Sequence, residues 1–416
     1  MLVLKSKTLK DLLKVFSGNV VSQGIAFLII IIISRDLGPS EYGIFSSLIA
    51  IFTIGTQISD FGVSTSYVKY ASENLSKEDE IFITIVIGKV IVSIFTISIF
   101  YLLSGRLSEF FFGTRIYQDV IKIVAIGIFF HSLFLVVISH FQAKQNFLIF
   151  SCLNIVHNFL KLISIIIICI TFSKESHLKY FIFSYVFCVS ILILALVLKG
   201  IIYIKNMKKF EFIHFINTYK LGFWIFLSSM AVVIMMRLDI IMLQKMGSSS
   251  DVGYYSAAMN LAMIFPLITT SIVTTLLPKM ESFLKNYTIQ EYIIKVVSNI
   301  KYIIFILIII EIISPYLIKN FFGEKYIESI SVFQILLVAF VIGIIINPIS
   351  LIMYSINKAY MLTLLNWIQL PVNYFFNIIF IPSLYADGAA LSTMIVRILG
   401  GLFIIIYFFY FKGRKN

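Results

Sequence analysis

The composition of this 416-residue chain, 60% hydrophobic and 13% charged, excludes a single soluble domain, because soluble proteins are about one-quarter charged. The mean hydropathy of +1.01 indicates a membrane protein, whose spanning helices each need about 20 apolar residues. The net charge of +13 does not indicate nucleic-acid binding, because the lysines cluster at the ends of the apolar runs, as they do beside membrane helices.

The chain begins with MLVLKSKTLKDLLKVF, a basic segment that leads into an apolar run ending at Ile33. No small-residue cleavage site follows and the run is long for a signal peptide, so we expect an uncleaved first helix. Hydropathy windows of about 19 residues predict further spans along the whole chain. The twelve predicted helices cover residues 15–33, 43–67, 81–103, 120–140, 147–172, 180–198, 221–243, 253–277, 302–318, 329–353, 360–381 and 387–410. We therefore predict an all-α integral membrane protein.

Twelve spans place both termini on the same side of the membrane, and the charge distribution indicates which side. With both termini cytoplasmic, the cytoplasmic segments hold 20 Lys and Arg residues and the outer loops hold 8. Positive residues favour the cytoplasmic side. The sequence therefore predicts that both termini are cytoplasmic. No predicted loop has room for a folded domain outside the membrane.

The turn between the first two predicted helices, SRDLGPSEYGIFSS at 34–47, has a counterpart in LQKMGSSSDVGYYSAAM at 243–259. The matched pairs are Leu37/Met246, Gly38/Gly247, Ser40/Ser250, Glu41/Asp251, Gly43/Gly253, Phe45/Tyr255 and Ser46/Ser256. QNFLIFSCLNIV at 145–156 resembles KAYMLTLLNWI at 358–368 at a similar offset. Two matches at half the chain length predict an internal repeat.

Each half contains an even number of spans, so the repeats run in the same direction through the membrane. Parallel repeats related by an axis along the membrane normal are a known transporter architecture. We predict two parallel six-helix bundles, at 1–203 and 204–416, which enclose a central cavity. Substrate would bind between the bundles, and rocking of one bundle against the other would alternate access.

Four stretches carry a resemblance to a known family: the turn at 34–47, ISDFGVSTSYVKYAS at 58–72, MRLDIIMLQKMGSSSDVGYYSAA at 236–258 and YADGAALSTMI at 385–395. They resemble the bacterial polysaccharide-export flippases, the Wzx-type O-antigen and capsule-unit translocases of the multidrug/oligosaccharidyl-lipid/polysaccharide exporter superfamily. The resemblance covers essentially the whole chain. Its motifs are mostly architectural, so they specify the family better than the substrate.

The resemblance implies a protein of the bacterial cytoplasmic (inner) membrane that takes part in polysaccharide biosynthesis. The implied substrate is an undecaprenyl-pyrophosphate-linked oligosaccharide, moved from the cytoplasmic to the periplasmic leaflet. The other expected partners are membrane lipids, a coupling ion (proton or sodium) and further polysaccharide-assembly membrane proteins. The sequence does not identify the sugar composition, the coupling ion or the oligomeric state.

Ionisable residues inside the spans are the candidates for substrate binding, because charges near the bilayer centre need a protein-lined or watery environment. Five cations (Lys89, Lys122, Lys161, Arg237, Arg397) and three acids (Asp60, Asp239, Glu311) fall within predicted spans. This surplus of positive charge suits a pyrophosphate head group. Amides that could bind sugar hydroxyls, or join helices instead, are Asn19, Gln23, Asn260, Asn347, Asn366, Gln369 and Asn373.

Arg397 and Lys89 lie roughly 15 and 12 Å into their predicted spans, and Glu311 is similarly deep. We expect these three residues to line a cavity. The alternative is a structural ion pair of Glu311 with one of the two cations.

The remaining ionisable residues each have an interpretation other than substrate binding. Arg237 and Asp239 are two positions apart, so they point away from each other on a helix and each needs its own partner. Both are substrate-binding candidates, with snorkelling to the interface as the alternative. Lys161 either lines the cavity or reaches the interface. Asp60 could cap or hinge its helix.

Several features exclude other readings of the sequence. His131 and His157 are mid-span and could relay protons, but lone histidines in helix bundles are more often structural. The cysteines Cys152, Cys169 and Cys188 lie in apolar runs, so neither a disulfide nor a metal motif is supported. We expect no catalytic, metal or cofactor site and no enzyme activity.

Two alternative functions stay open. A multidrug or cation exporter of the same superfamily would need buried acids in the first half, where Asp60 is the one candidate. A membrane-embedded polysaccharide polymerase or ligase would be expected to carry a large outer loop with catalytic residues, and the predicted loops are short.

Overall fold

The computed structural model describes residues 6–73, 77–198, 211–276, 288–298, 300–356, 358 and 360–408. The described part of the chain is helical and contains no strand. The helices are α1 Ser6–Asp60, α2 Val63–Glu73, α3 Glu78–Leu102, α4 Ser104–Phe112, α5 Gln118–Ala143, α6 Phe147–Thr171, α7 His177–Leu198, α8 Phe212–Met246, α9 Ser249–Ala262, α10 Ile264–Leu276, α11 Ile289–Val297, α12 Ile300–Phe322, α13 Ser329–Ser355 and α14 Tyr360–Ile406. Short 3₁₀ turns at Lys174–Ser176 and Glu324–Tyr326 precede α7 and α13.

Two of these helices each contain two of the predicted spans. Helix α1 is interrupted at Gly38, whose φ of 72° and ψ of 174° are not helical, and Pro39 follows at the start of the next helical segment. Glycine adopts this positive φ without steric cost, and proline is favoured in the first turn of a helix. Helix α14 is also interrupted, at Tyr385, which has a φ of 51°.

Two predicted spans, one of them the second span of α1, are divided. The predicted helix at 43–67 breaks at Phe61 and Gly62, which have φ values of 50° and 68°, so α1 ends at Asp60 and α2 begins at Val63. The predicted helix at 253–277 is divided between α9 and α10. Hydropathy does not reveal these breaks, because the apolar character continues through them.

Within the described residues, nine helical stretches are long and apolar enough to cross a membrane. Two of them, Lys14–Glu73 and Tyr360–Ile406, hold two predicted spans each, and the α9–α10 pair supplies another. The prediction of an all-α membrane protein with about twelve helices is therefore confirmed. Long side chains on the outer faces, such as Phe95, Ile170 and Ile312, are exposed, as expected of helices that contact lipid.

The described residues divide by their contacts into two compact units. The first comprises the described residues before Gly38 together with those from Ser47 to Val233, and the second comprises Gly38–Ser46 and the described residues from Ile234 onwards. The domain boundary predicted at 203/204 lies outside the described residues. The prediction of a 1–203 and a 204–416 bundle stays a prediction.

The first unit is built around α5. One cluster of buried residues joins α2, α3 and α5 and includes Tyr67, Phe82 and Val136. A second joins α5, α6 and α7 and includes Phe134 and Val189. Buried aromatic and branched side chains of this kind supply dense packing between helices.

The second unit has its largest contact between α13 and α14. Its core contains Ile352 of α13 and Phe408, two residues after the end of α14. The short helix α11 contributes Tyr292 and Ile293. Thr288 caps α11, and Glu291 completes a reciprocal capping box that satisfies the free backbone N–H groups at its start. These contacts hold α13 against α14, and α14 supplies part of the wall of the candidate site.

Within the second unit, the segment Gly38–Ser46 packs closely on the start of α9. A Cβ atom on Gly43 would lie 1.7 Å from the Ser249 carbonyl oxygen, and one on Gly253 would lie 2.0 Å from the Pro39 carbonyl oxygen. The hydroxyl of Tyr42 accepts a hydrogen bond from the Asn260 amide at 3.0 Å. The two glycines that the sequence matched in the repeat therefore meet at one backbone contact.

Candidate functional site

The second unit contains a small cavity of about 20 Å³, which is room for about one water molecule. Helices α8, α9 and α14 supply its walls. The lining residues are Met235, Met236, Asp239, Met259, Asn373, Thr393, Val396 and Arg397. The cavity combines flexible apolar side chains with one carboxylate and one guanidinium group. Two of the residues predicted from the sequence, Asp239 and Arg397, are thus brought together although they lie on different helices.

Asp239 is 2% exposed and accepts three hydrogen bonds. The donors are the Tyr255 hydroxyl at 2.6 Å, the Asn377 amide at 2.7 Å and the Thr393 hydroxyl at 2.5 Å. The same amide of Asn377 also donates to Asn373 at 3.0 Å. A buried carboxylate is tolerated when its oxygens are hydrogen-bonded in this way. This cluster joins α8, α9 and α14 around one charged group.

Arg397 lies beside this cluster on the wall of the cavity. Its guanidinium carbon is 4.3 Å from the ring centroid of Phe340 on α13, a cation–π contact. Its buried Nε makes no hydrogen bond with any described residue. Among the described residues, no salt bridge joins Arg397 to Glu311. The guanidinium group therefore retains donor capacity for an acceptor that enters the cavity.

Arg237 and Glu311 do not line this cavity. Arg237 is half-buried on α8, two positions before Asp239. Glu311 is half-buried on α12, and the buried residues of this helix, Ser314, Ile318 and Phe322, all follow it in the sequence. The Glu311 carbonyl oxygen accepts a hydrogen bond from Gln334 on α13 at 3.3 Å. A role of these two residues in substrate binding stays a prediction.

Lys89 lies in the first unit and is 0% exposed. Its Nζ is 2.6 Å from the Asp60 Oδ1, and the Ser64 hydroxyl donates to the same oxygen. The sequence suggested Glu311 as an alternative partner and read Asp60 as a cap or hinge. Asp60 does end α1 at a break, and it also neutralises Lys89, because an unpaired ammonium group would be costly at this depth.

Three hydroxyl groups form a small cluster near this ion pair. Ser59 lies 2.8 Å from Ser93 and 2.9 Å from Ser132, so α1, α3 and α5 meet through their side-chain oxygens. All three serines are buried. Hydrogen bonds of this kind join membrane helices where apolar contact alone gives no preference over lipid.

Lys161, also in the first unit, is 7% exposed, and its ammonium group lies 4.2 Å from the ring centroid of Tyr185. No carboxylate among the described residues lies within ion-pair distance of Lys161. The rings of His131 and His157 are 6.0 Å apart, and the Nε2 of His157 has no hydrogen-bond partner among the described residues. The interior of the first unit therefore carries more basic than acidic groups.

The residues that sequence reasoning missed are those that hold the two charges of the cavity. Tyr255, Asn377 and Thr393 bind Asp239, and Phe340 supports Arg397. In the sequence, Tyr255 is distinguished only by its place in the repeat. The four-residue spacing of Asn373 and Asn377 places both amides on one helix face, so this spacing indicates a polar site in the sequence.

A family model described as "Polysaccharide biosynthesis protein" matches residues 8–284. A curated relative from Klebsiella pneumoniae, described as an uncharacterized membrane protein in the cps region, is 24% identical. The alignment covers 98% of this chain and 83% of the relative. The similarity therefore extends over nearly the whole chain.

Two solved transporter structures show the same fold. One is described as the lipid II flippase MurJ in an inward closed conformation, with a TM-score of 0.74, 17% identity and coverage of 95% of this chain and 87% of that one. The other is an inward-facing multidrug resistance MATE family transporter of the MOP superfamily, with a TM-score of 0.72, 14% identity and coverage of 95% and 96%. At these identities the likeness shows the fold.

Proposed function

Because the chain belongs to the polysaccharide biosynthesis protein family, we propose that it is a flippase for undecaprenyl-pyrophosphate-linked oligosaccharide repeat units. It would move these units from the cytoplasmic to the periplasmic leaflet by alternating access, for O-antigen or capsule assembly. The relative from a cps region and the likeness to a lipid II flippase support this proposal. The chain would act as a transporter, without covalent chemistry.

The observation that carries the proposal is the cavity that contains Arg397 in a membrane-embedded helical unit. A pyrophosphate group offers several anionic oxygens, and a guanidinium group binds such oxygens through short charge-assisted hydrogen bonds. Phe340 holds the guanidinium group in place while its Nε is left for a ligand. The methionines Met235, Met236 and Met259 also line the cavity and offer adaptable apolar contact.

The buried bases of the first unit are further candidates for contact with the anionic head group. Lys161 is neutralised by no described carboxylate, so it is available to an anionic head group that reaches it. Lys89 is the weaker candidate, because Asp60 already forms an ion pair with its ammonium group.

The proposed flippase would lie in the bacterial inner membrane with both termini in the cytoplasm. A proton or sodium ion would drive transport.

The proposal is tested by deleting the gene and determining in which leaflet the lipid-linked repeat units accumulate. Periodate, which does not cross the membrane, oxidises sugars that face the periplasm. We expect the accumulated units to be protected in intact cells and to react after lysis. Unchanged surface polysaccharide, or accumulation in the periplasmic leaflet, would contradict the proposal.

A multidrug or cation exporter is the second candidate, favoured by the likeness to MATE family transporters. The same deletion distinguishes it. An exporter would leave surface polysaccharide unchanged and raise the retention of cationic dyes such as ethidium. We expect dye retention to stay at the parental level when polysaccharide export fails.

A further inference from the structure

The start of α3 and the start of α8 bring two carboxylates and an imidazole together in the first unit. Glu80 lies in the first turn of α3, Glu211 immediately precedes α8, and His214 lies in its first turn. One ligand atom from each of these three residues lies within 4.8 Å of the other two. In a tetrahedral site with ligands about 2.1 Å from the metal, neighbouring ligand atoms are roughly 3.4 Å apart. Small side-chain adjustments would therefore close the set around one ion.

His214 supplies the observation that points to a ligand. The residue is 5% exposed, and its Nδ1 lies 3.0 Å from the Tyr70 hydroxyl oxygen. Its Nε2 lies at ion-pair distance, 2.9 Å, from the Glu211 Oε2, but the angle is not that of a hydrogen bond. The nitrogen thus faces an acidic oxygen without a well-formed hydrogen bond to it. With the proton on Nδ1, the lone pair of Nε2 would face a carboxylate oxygen, an arrangement that a cation between them stabilises.

The backbone at this cluster is anchored without any ion. The Glu211 backbone N–H donates to the Thr84 hydroxyl oxygen at 3.3 Å, and that hydroxyl donates to the Glu80 carbonyl oxygen at 2.9 Å. The Glu211 carbonyl oxygen in turn accepts from the N–H of His214 at 3.1 Å. The two helix starts are thus tied together, so the three ligand-bearing residues are preorganised.

We propose that Glu80, Glu211 and His214 bind one divalent cation of the Zn²⁺ class. Imidazole nitrogen and carboxylate oxygen are common zinc ligands, and one or more waters would complete the coordination. Tyr70 would orient the imidazole from the opposite nitrogen, which is the usual arrangement around metal-binding histidines. The ion would fasten the start of α8 to α3, two segments that are distant in the sequence.

A neighbouring cluster provides a matched control. There the Tyr67 hydroxyl lies 2.8 Å from the His140 Nδ1, and Glu78 is 3.7 Å from the same nitrogen. A lysine, Lys144, lies 3.7 Å from Glu78 and takes the place that a second acid has in the proposed site. The ammonium group repels a metal ion, so substitution at Glu78 is expected to leave zinc affinity unchanged.

The test uses the full-length protein, purified in detergent without an affinity tag, stripped with a chelator and titrated with Zn²⁺ against a chromophoric competitor. We expect one Zn²⁺ per chain. The variants His214→Ala and Glu80→Gln should weaken binding at least about tenfold, and Glu78→Gln should not weaken it. Glu80→His, which supplies another ligand atom, should retain binding. Wild-type protein that binds no Zn²⁺, or equal affinity in all variants, would overturn the proposal.

A second measurement does not depend on the variants folding. Zinc K-edge absorption of the loaded wild-type protein should show a shell of nitrogen and oxygen with the pattern of one imidazole. A shell that contains sulfur would place the ion at a cysteine and overturn the proposal. If Glu80 instead pairs with a basic side chain of the protein, Glu80→Gln should lower the thermal stability, and Zn²⁺ should not change the thermal stability of the wild type. That outcome also overturns the proposal.

Discussion

Arg397 and Asp239 line the same cavity but differ in how far their hydrogen-bonding groups are satisfied. Asp239 has its oxygens satisfied by three donors, whereas the Nε of Arg397 has no hydrogen bond among the described residues. A satisfied carboxylate supports the structure around it. A guanidinium group with free donor capacity is suited to a ligand, which is why the proposed substrate contact is assigned to Arg397.

The first prediction concerns this contact. Arg397→Ala should weaken binding of the lipid-linked substrate roughly 10- to 150-fold, because a hydrogen bond to a charged group contributes about 1.5–3 kcal/mol. Arg397→Lys should retain part of the binding, since it keeps the charge and loses the planar fork. Surface polysaccharide per cell, normalised to protein abundance, is the measurement. Arg115→Ala, which removes an exposed guanidinium paired with Glu109, is the control and should export normally.

The second prediction concerns the buried ion pair. Lys89→Met should destabilise the purified protein by about 3–5 kcal/mol, because it leaves the Asp60 carboxylate buried without its cation. The double variant Lys89→Met/Asp60→Asn should recover much of this loss, since it removes both charges. Thermal unfolding in detergent measures both. If the single and double variants are equally unstable, the ion pair is not the cause.

At the scale of helices, the contact between Gly43 and the start of α9 depends on the absence of side chains. Helix backbones approach most closely where small residues face each other. Here the approach is close enough that a single methyl group would overlap a carbonyl oxygen on either side. The repeat motif thus has a packing role in the second unit, which its sequence match alone did not indicate.

The third prediction follows from this contact. Gly253→Ala should lower the stability by about 1–3 kcal/mol, because the new Cβ would lie 2.0 Å from the Pro39 carbonyl oxygen and force the helices apart. Gly24→Ala is the matched control, since nothing lies within 4 Å of its Cβ position. In a helix that change should be neutral or stabilising by up to about 1 kcal/mol. Equal thermal unfolding temperatures for the two variants would contradict the prediction.

At the scale of the whole molecule, the number of spans and the charge bias predict the orientation. Both termini should face the cytoplasm. Single cysteines placed at each end, in a variant without Cys152, Cys169 and Cys188, should react with a membrane-impermeant maleimide only after the cells are lysed. A cysteine at Glu109, an exposed residue in the predicted outer loop after α3, should react in intact cells. Labelling of either terminus in intact cells would show that the predicted orientation is wrong.

Much of the fold could be predicted from the sequence, because it depends on local properties. The number of helices follows from runs of apolar residues, and the turn at Gly38 and Pro39 follows from the conformations these residues favour. The breaks at Phe61 and Tyr385 could not be predicted in this way, since a non-glycine residue with positive φ is held there by its surroundings.

In the candidate site, too, local features could be predicted from the sequence and contacts between helices could not. Hydropathy was enough to identify Asp239, Lys89 and Arg397 as charges within spans, because a charge in an apolar run is visible in any single sequence. Their partners were not, because they come from other helices: Asn377 and Thr393 are 138 and 154 residues from Asp239. The sequence by itself therefore determined which charges must be accommodated, while the tertiary structure decided which are neutralised and which stay available, since only helix packing brings distant donors within hydrogen-bond reach.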